Sequence, residues 1–389
     1  MQRVFLYLRK GSMALIKAKK VELTELFYDL VFVYAISQGT ALIHHLHQGV
    51  VGPSAFIPFI LSFVILINTW MVQTVYTNRY GENSIRDILF MFAQMIFLLL
   101  ASNSITSEWR TTFVPFTLSF GGISFILMAQ YFFQWWQADT VEEKQLPEQF
   151  MKILAFRGLT LTVAAFLPFE IGSVVSALGI LISWWLPSLL VKPMHARPIN
   201  FPHLVERVSL LVIITFGEMI IGIAPYFTAK TFSVQSVLIF LIVSNLFMFY
   251  IVKFDHILDH HRSKESGNAL IYFHYLIFFG LSLVTVSLNF VGNPKANSFF
   301  AVGCLYAGLV LFIIGVLIHG SYNKKGYEYP RLLRAGIYGC LMVAGCLSFI
   351  FADWRLLVIA MTAAATTTIV IMYVRFNLSR MRAEGVIEE

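Results

Sequence analysis

Runs of about twenty apolar residues follow one another along almost the whole 389-residue chain. A helix needs about 20 such residues to cross the roughly 30 Å hydrocarbon core of a bilayer. With 58% hydrophobic and 13% charged residues and a mean hydropathy of +0.74, the chain lacks the polar side chains that cover a water-soluble globule. The sequence therefore predicts an all-α, polytopic integral membrane protein whose main partner is the lipid bilayer.

About twelve transmembrane helices are predicted. They lie near residues 24–46, 55–77, 87–104, 113–136, 150–167, 170–190, 204–224, 235–256, 268–290, 297–318, 332–352 and 355–375. The weakest boundary separates the fifth and sixth spans, where only LPFE intervenes. A hairpin that turns on Pro168 and a single broken helix both fit there.

The basic residues are distributed asymmetrically between the two faces of this arrangement. Counted with the adjoining ends of the spans, the segments on the face that holds both termini contain 22 of the 28 lysines and arginines, and those on the other face contain 4. Basic residues favour the cytoplasmic side, so both termini are predicted to be cytoplasmic. The same rule explains the net charge of +7, and no nucleic-acid partner is predicted.

The domain organisation follows from these spans. A basic N-terminal segment at 1–20 precedes a transmembrane domain at 21–377 and a tail at 378–389. Spans one and seven are similar, as TELFYDLVFV and VERVSLLVII, and so are spans two and eight, at offsets of 181 and 177 residues. This similarity favours two six-helix halves of like orientation, 21–190 and 203–377.

Two acids in the first span are the clearest candidates for chemistry. Glu25 and Asp29 are four residues apart and share one helical face. A charge at the bilayer centre costs roughly 2.5–3.5 kcal/mol, so this face must contact protein or water. The helix dipole explains an acid in the first turn, such as Glu25, but Asp29 lies beyond that turn.

Span seven repeats the pattern. Glu206 and Arg207 lie near its start, and Glu218 follows Glu206 by about 18 Å along the helix axis. Arg207 and Glu218 are about 20° apart in projection, so they are predicted to face one interior. Glu218 is either a protonated group that joins helices or a proton or cation site, and the neighbouring Gly217 and Gly222 leave room for close helix approach.

Other charged side chains lie in the same half of the predicted bundle. Arg157, inside span five, is expected to pair with Asp29 or Glu206, whereas Lys253 in span eight is expected to extend toward the headgroups. His274 lies two turns into span nine. The predicted binding and coupling residues are Glu25, Asp29, Arg157, Glu206, Arg207, Glu218 and His274.

Signatures of enzymes and metal proteins are missing from the sequence. It contains no HExxH, GxSxG or GxxxxGK[ST] motif. In DHILDHH at 255–261, His256 and His260 have the spacing of metal ligands on a helix, but solvated helix ends often carry such runs. We therefore predict no catalytic residue, no metal, no cofactor and no enzymatic activity.

Four segments resemble the bacterial low temperature requirement A family. They are ELFYDLVFV at 25–33, YTNRY at 76–80, HLVERVSLLVIITFGE at 203–218 and YFHYLIFFG at 272–280, within a resemblance that spans roughly 20–380. The resemblance implies a multi-span protein of the bacterial plasma membrane, named for a link to growth in the cold and without an established molecular activity. The positions it marks are Glu25, Asp29, Arg79, His203, Glu206, Arg207, Gly217, Glu218 and His274. Ser209 stands where the family motif often has glycine.

Three functional hypotheses fit this pattern. The leading one is a secondary transporter coupled to protons or cations, with Asp29, Glu206 and Glu218 as coupling acids. Arg157 or Arg207 then acts as a counter-charge or binds an anionic small molecule. The alternative is a membrane scaffold or sensory component whose charges only hold helices together. A third reading, a lipid-modifying enzyme, requires a polar pocket open sideways to lipid.

Overall fold

The computed structural model describes residues 19–189, 198–262, 265 and 267–383. Most of the predicted N-terminal segment and the end of the predicted tail therefore lie outside the described residues. The described part holds twelve long α-helices and no strand, only two isolated bridges. The helices are α1 Leu23–Ala41, α2 Pro53–Tyr80, α3 Ile85–Asn103, α4 Trp109–Gln137, α5 Val141–Ala165, α6 Phe169–Trp185, α7 Phe201–Ile223, α8 Val234–Ile251, α9 Asn268–Gly292, α10 Ser298–Ile318, α11 Arg331–Ile350 and α12 Arg355–Ala383.

Each predicted span falls on one of these helices, and the predicted all-α membrane fold is confirmed. Ten helices are long and apolar enough to cross a membrane. The other two are α5, which begins with the charged sequence VEEK, and α6, which has 17 residues. Pro168 is the N-cap residue of α6, so the fifth and sixth spans form the predicted hairpin and not one broken helix.

Helix α2 contains a segment that is enclosed on all sides. Every residue from Asn68 to Asn78 is buried, on all sides of the helix. Six of these eleven residues are asparagine, glutamine or threonine, and Trp70 adds a polar ring nitrogen. Buried polar groups must find hydrogen-bond partners within the protein, so α2 brings neighbouring helices together through side-chain contacts.

Helices α1 and α7 pack side by side in parallel. Glu25 contacts His203 and Asp29 contacts Arg207, each across a separation of 178 residues. Farther along, Thr40 contacts Glu218 at the same offset. A constant offset means that both helices begin at the same end of the bundle. Parallel packing of spans one and seven is what two like-oriented halves predict; the division itself remains a prediction.

Helices α9 and α10 approach each other through glycine. A Cβ atom added at Gly280 falls 2.6 Å from the backbone nitrogen of Phe312, and one added at Gly308 falls 2.9 Å from the carbonyl oxygen of Gly280. Backbone atoms of a packed helix cannot move aside easily. Small residues here therefore permit direct contact between the helix backbones.

We expect Gly280→Ala to destabilise the fold by about 1–3 kcal/mol, the range for overpacking. Gly339→Ala is the matched control, because an added Cβ there meets nothing within 4 Å and alanine is the better helix former. Unfolding in detergent micelles measures both. Equal stability of the two variants would contradict the close α9–α10 contact.

Candidate functional site

The two acids of α1 face the protein interior, as their spacing predicts. Glu25 is 3% exposed and Asp29 is fully buried. At the helix start, the backbone N–H of Glu22 donates to Glu25 Oε2 at 3.0 Å. The backbone at the helix start therefore holds Glu25, and the same oxygen also contacts His203 in the interior.

Arg207 of α7 bridges the two acids. Its Nη2 atom lies 2.8 Å from Asp29 Oδ1, and its Nη1 atom lies 3.8 Å from Glu25 Oε1. Trp70 of α2 donates its indole N–H to the same Asp29 oxygen at 2.7 Å. The Trp70 ring also lies beneath the guanidinium, at 5.6 Å from ring centroid to Cζ. Asp29 thus receives two donors from two helices, one of them charged.

The hydrogen bonds of His203 fix its tautomer. Asn78 Oδ1 accepts from the backbone N–H of Asn200, so the Asn78 amide nitrogen must be the atom that faces His203 Nδ1, at 3.0 Å. An N–H donor opposite Nδ1 requires Nδ1 to accept. The ring proton is therefore assigned to Nε2, which donates to Glu25 Oε2 at 3.2 Å. In this geometry His203 is neutral.

The charges of this cluster, which we call the α1–α7 charge cluster (Glu25, Asp29, His203 and Arg207), do not balance. It combines two carboxyl groups, one guanidinium and a neutral imidazole. Glu25 Oε1 and Asp29 Oδ2 are buried and have no hydrogen-bond partner among the described residues. A cluster with one excess acid in a low-dielectric interior is balanced by one proton, or by a cation nearby such as Lys19, whose charge interacts with Glu25. Its geometry is suited to reversible proton binding.

A small cavity reaches Glu25 from the end of the bundle. It measures about 20 Å³ and is lined by Lys19, Thr77 and Asp87 as well as Glu25. Lys19 donates to the backbone carbonyls of Thr77 and Gly81. Burial lowers the pKa of Lys19, and the nearby acids, Glu25 foremost, oppose that shift. The cavity gives the cluster a side from which protons can arrive.

The neutral tautomer predicts how His203 can be replaced. Glutamine offers one N–H donor and one acceptor, so His203→Gln should cost less than about 1 kcal/mol. His203→Leu removes a hydrogen-bond partner from Glu25 and from Asn78, and it should lower the free energy of unfolding by about 1–3 kcal/mol. Unfolding in micelles compares the two variants. If both lose 3 kcal/mol or more, His203 is a cation in the native protein and the assignment is wrong.

Glu206 and Glu218 differ from the sequence-based picture. Glu206 is exposed, because it lies about 100° around the helix from the buried Arg207, so it does not join the cluster. Glu218 is half-buried, and its carboxyl group lies near Thr40 of α1. It therefore faces the same α1–α7 interface as Arg207. Gly222 approaches Thr285 of α9 closely, whereas Gly217 faces open space.

Arg157 does not pair with either predicted acid. Its Nε atom donates to Ser124 of α4 at 2.8 Å, and its Nη1 atom donates to Asn68 of α2 at 3.0 Å. The expectation of an Asp29 or Glu206 partner was wrong. Asp29 is already held by Arg207 and Trp70, and Glu206 faces outward, so α5 presents Arg157 to neutral acceptors.

His274 belongs to a separate polar group in the second half of the chain. Its Nδ1 atom contacts the Leu270 carbonyl at 2.6 Å and its Nε2 atom contacts the Tyr250 hydroxyl at 3.3 Å. The ring lies 4.6 Å, centroid to centroid, from that of His319. None of these contacts joins His274 to α1 or α7.

Lys253 is fully buried and does not extend toward the headgroups, which corrects the expectation for this residue. It donates to the carbonyl of His319 at 2.9 Å and to the side chain of Asn323. The chain is π-helical from Val252 to Ile257, and this wider turn changes the direction of the side chain. Within the described ranges, no group of three His, Cys, Asp or Glu side chains is arranged to hold a metal.

Sequence reasoning missed the polar side chains of α2. Gln73 joins a buried chain in which the Tyr28 hydroxyl donates to Gln94, and Gln94 donates to both Gln73 and Gln130. Asn68 hydrogen-bonds with Arg157, Trp70 with Asp29, and Asn78 with His203. The signal was present in NTWMVQTVYTN, where polar residues fall on every side of an apolar span.

The twelve-helix fold and the buried charges between α1, α2 and α7 define a polytopic membrane protein with an intramembrane charge cluster. The sequence profile of the bacterial low temperature requirement A protein family (LtrA) matches residues 20–374. The chain therefore belongs to this family, as the four segments predict.

A similar protein occurs in Rhizobium meliloti (strain 1021). It is named "Uncharacterized protein RA0937", and it is 25% identical over 254 residues, which cover 61% of this chain and 59% of that protein. The match thus spans less than two thirds of the relative's length.

Proposed function

We propose that this protein is a secondary transporter of the bacterial plasma membrane, coupled to protons or cations. Both termini face the cytoplasm in this proposal, and the protein moves a small solute without enzymatic chemistry. The observation that carries the proposal is the charge imbalance of the α1–α7 charge cluster. Two acids share one guanidinium beside a neutral His203, so the cluster has a place for one exchangeable positive charge.

The position of Glu218 supports the same function. It lies on the α1–α7 interface, about 16 Å along the axis from Arg207 at 1.5 Å per residue. The interface therefore holds carboxyl groups at two depths, near one end and past the middle of the predicted span. Acids at successive depths on one helix interface are typical of proton pathways. In this arrangement Asp29 and Glu25 form one station and Glu218 the other.

A purely structural role is the alternative, in a scaffold or sensory protein. Asp29, His203 and Arg207 are completely buried, and their hydrogen bonds join three helices. Such contacts hold helices together whether or not a proton moves. The two functions differ in what happens when an acid is replaced by its amide, since an amide keeps most contacts but cannot carry a proton.

The test measures proton flux in proteoliposomes loaded with a pH-sensitive dye, with the membrane potential clamped. We expect the unaltered protein to dissipate an imposed pH gradient and Glu218→Gln to slow this by at least about tenfold, because the second proton station is lost. Glu206→Gln is the matched control, since it alters an exposed acid of the same helix, and its flux should be unchanged.

The absence of flux from well-folded unaltered protein would favour the structural role. The structural role would also be favoured if Glu218→Gln expressed poorly and the unaltered protein showed no proton flux.

A further inference from the structure

Arg157 is a buried arginine that the α1–α7 charge cluster does not use. It is 5% exposed, and its two hydrogen-bond partners, Ser124 and Asn68, are both neutral. Its Nη2 atom is buried and has no hydrogen-bond partner among the described residues. A buried cation that meets only neutral acceptors is costly unless an anion joins it. The side chain therefore has the properties of an anion ligand.

A small cavity adjoins Arg157. It measures about 30 Å³ and is also lined by Asn68, Ser183 and Tyr272. This volume holds about one water or the small head of a ligand such as a carboxylate. A phosphate ester with its four oxygens is too large for it. The cavity thus selects anions with a small head.

A larger apolar groove shares the lining residue Tyr272 with the small cavity. It measures about 570 Å³, within the roughly 300–1,000 Å³ range of small-molecule sites. Trp184, Trp185 and Phe279 line it, and Tyr272 lines both the groove and the small cavity. Trp185 is 71% exposed, so the groove opens between α6 and α9 toward the lipid-facing surface.

A second unpaired donor lies on Trp184, which lines the groove. The indole nitrogen of Trp184 is buried and has no hydrogen-bond partner in the described part of the chain. Trp184 follows Ser183 directly on α6, and Ser183 lines the small cavity. A ligand with hydrogen-bond acceptors would satisfy the unpaired donors of Arg157 and Trp184. The groove accommodates an apolar chain on the same ligand.

We propose that this site binds a long-chain carboxylate from the membrane. The carboxylate lies at Arg157 and the acyl chain occupies the aromatic groove, which the ligand enters sideways between α6 and α9. Such binding does not depend on proton flux, so it can be tested independently of the proposed transport.

The test uses the full-length protein in nanodiscs and stearic acid with bromine on its chain, which quenches nearby tryptophans. Bound brominated stearate should quench Trp184 and Trp185, and oleate should displace it. Oleyl alcohol has the same chain without the charge, and acetate has the charge without the chain, so neither should compete. If oleyl alcohol competed as well as oleate, the groove would bind apolar chains without regard to charge. If acetate competed, the site would bind small anions. Either result would overturn the proposal.

Variants locate the head group. Arg157→Gln should weaken oleate binding at least about tenfold, the worth of one charge-assisted hydrogen bond, and Arg157→Lys by less. Arg110→Gln, which alters an exposed arginine, is the control and should bind as the parent does. If Arg157→Gln does not fold, Trp184→Phe, which removes the indole donor and keeps the ring, should still weaken binding. Unchanged affinity in the variants that fold would contradict the assignment.

Discussion

Replacing Arg207 by methionine should destabilise the protein by about 3–5 kcal/mol, the largest effect expected of any single substitution here. Arg207 is the one guanidinium between Glu25 and Asp29, and its atoms lie 3.8 and 2.8 Å from their oxygens. Methionine fills part of the volume but leaves two buried acids without a counter-charge. The loss should shrink at low pH, where the stranded carboxyls can take up protons. Unfolding in detergent micelles at several pH values measures it.

Arg110→Met is the matched control for this experiment. Arg110 pairs with Glu170 at 2.5 Å, but both side chains are more than 60% exposed. An exposed pair contributes about 0–1 kcal/mol, so the control should lose no more than that. If Arg207→Met were as mild as Arg110→Met at neutral pH, the cluster would not be held by its charges.

Replacing Asp29 by asparagine should abolish coupled proton movement, with a loss of at least about a hundredfold in the dye assay, and leave the fold nearly as stable as before. The amide cannot bind a proton, but it removes the excess acid, so Glu25 and Arg207 then balance. Asparagine also retains an oxygen that can accept from Trp70. We expect a loss of stability of about 1 kcal/mol or less, similar to a change in one hydrogen bond.

The double variant Glu25→Gln with Asp29→Asn separates charge from packing. Each single change leaves a balanced cluster, but the double change strands Arg207 as an unpaired buried cation. We therefore expect the pair to cost about 3–5 kcal/mol, far more than the sum of the singles. Additive losses would mean that both acids are permanently ionised and paired in the native protein.

The helices themselves could be predicted from the sequence, because length and apolar composition decide what crosses a bilayer. At Pro168 the sequence left a hairpin and a broken helix open, and the structure decides for the hairpin. The inward face of Glu25 and Asp29 follows from their spacing, since an unpaired charge in lipid is costly. Arg207 and Glu218 likewise come to one interface because 11 residues nearly complete three helical turns.

The partners of these groups could not be predicted. Which helix lies beside which depends on packing between distant segments, and so does the rotation of α5 that gives Arg157 the neutral acceptors Asn68 and Ser124. Lys253 escaped prediction because a π-helical segment redirects it, and nothing in the apolar pattern marks that segment. Asn78, which fixes the tautomer of His203, acts through a contact 125 residues away.

Infrared spectroscopy of the purified protein tests the central claim most directly, namely that the α1–α7 charge cluster holds one exchangeable proton. Across a pH titration we predict a band from one protonated carboxyl group that disappears as the pH rises. In a Glu218→Gln background, which removes the other proton station, the band at neutral pH should be lost after Glu25→Gln or Asp29→Asn and kept after Glu206→Gln. A spectrum without any such band in the unaltered protein, or one that both amide variants leave intact, would contradict the account.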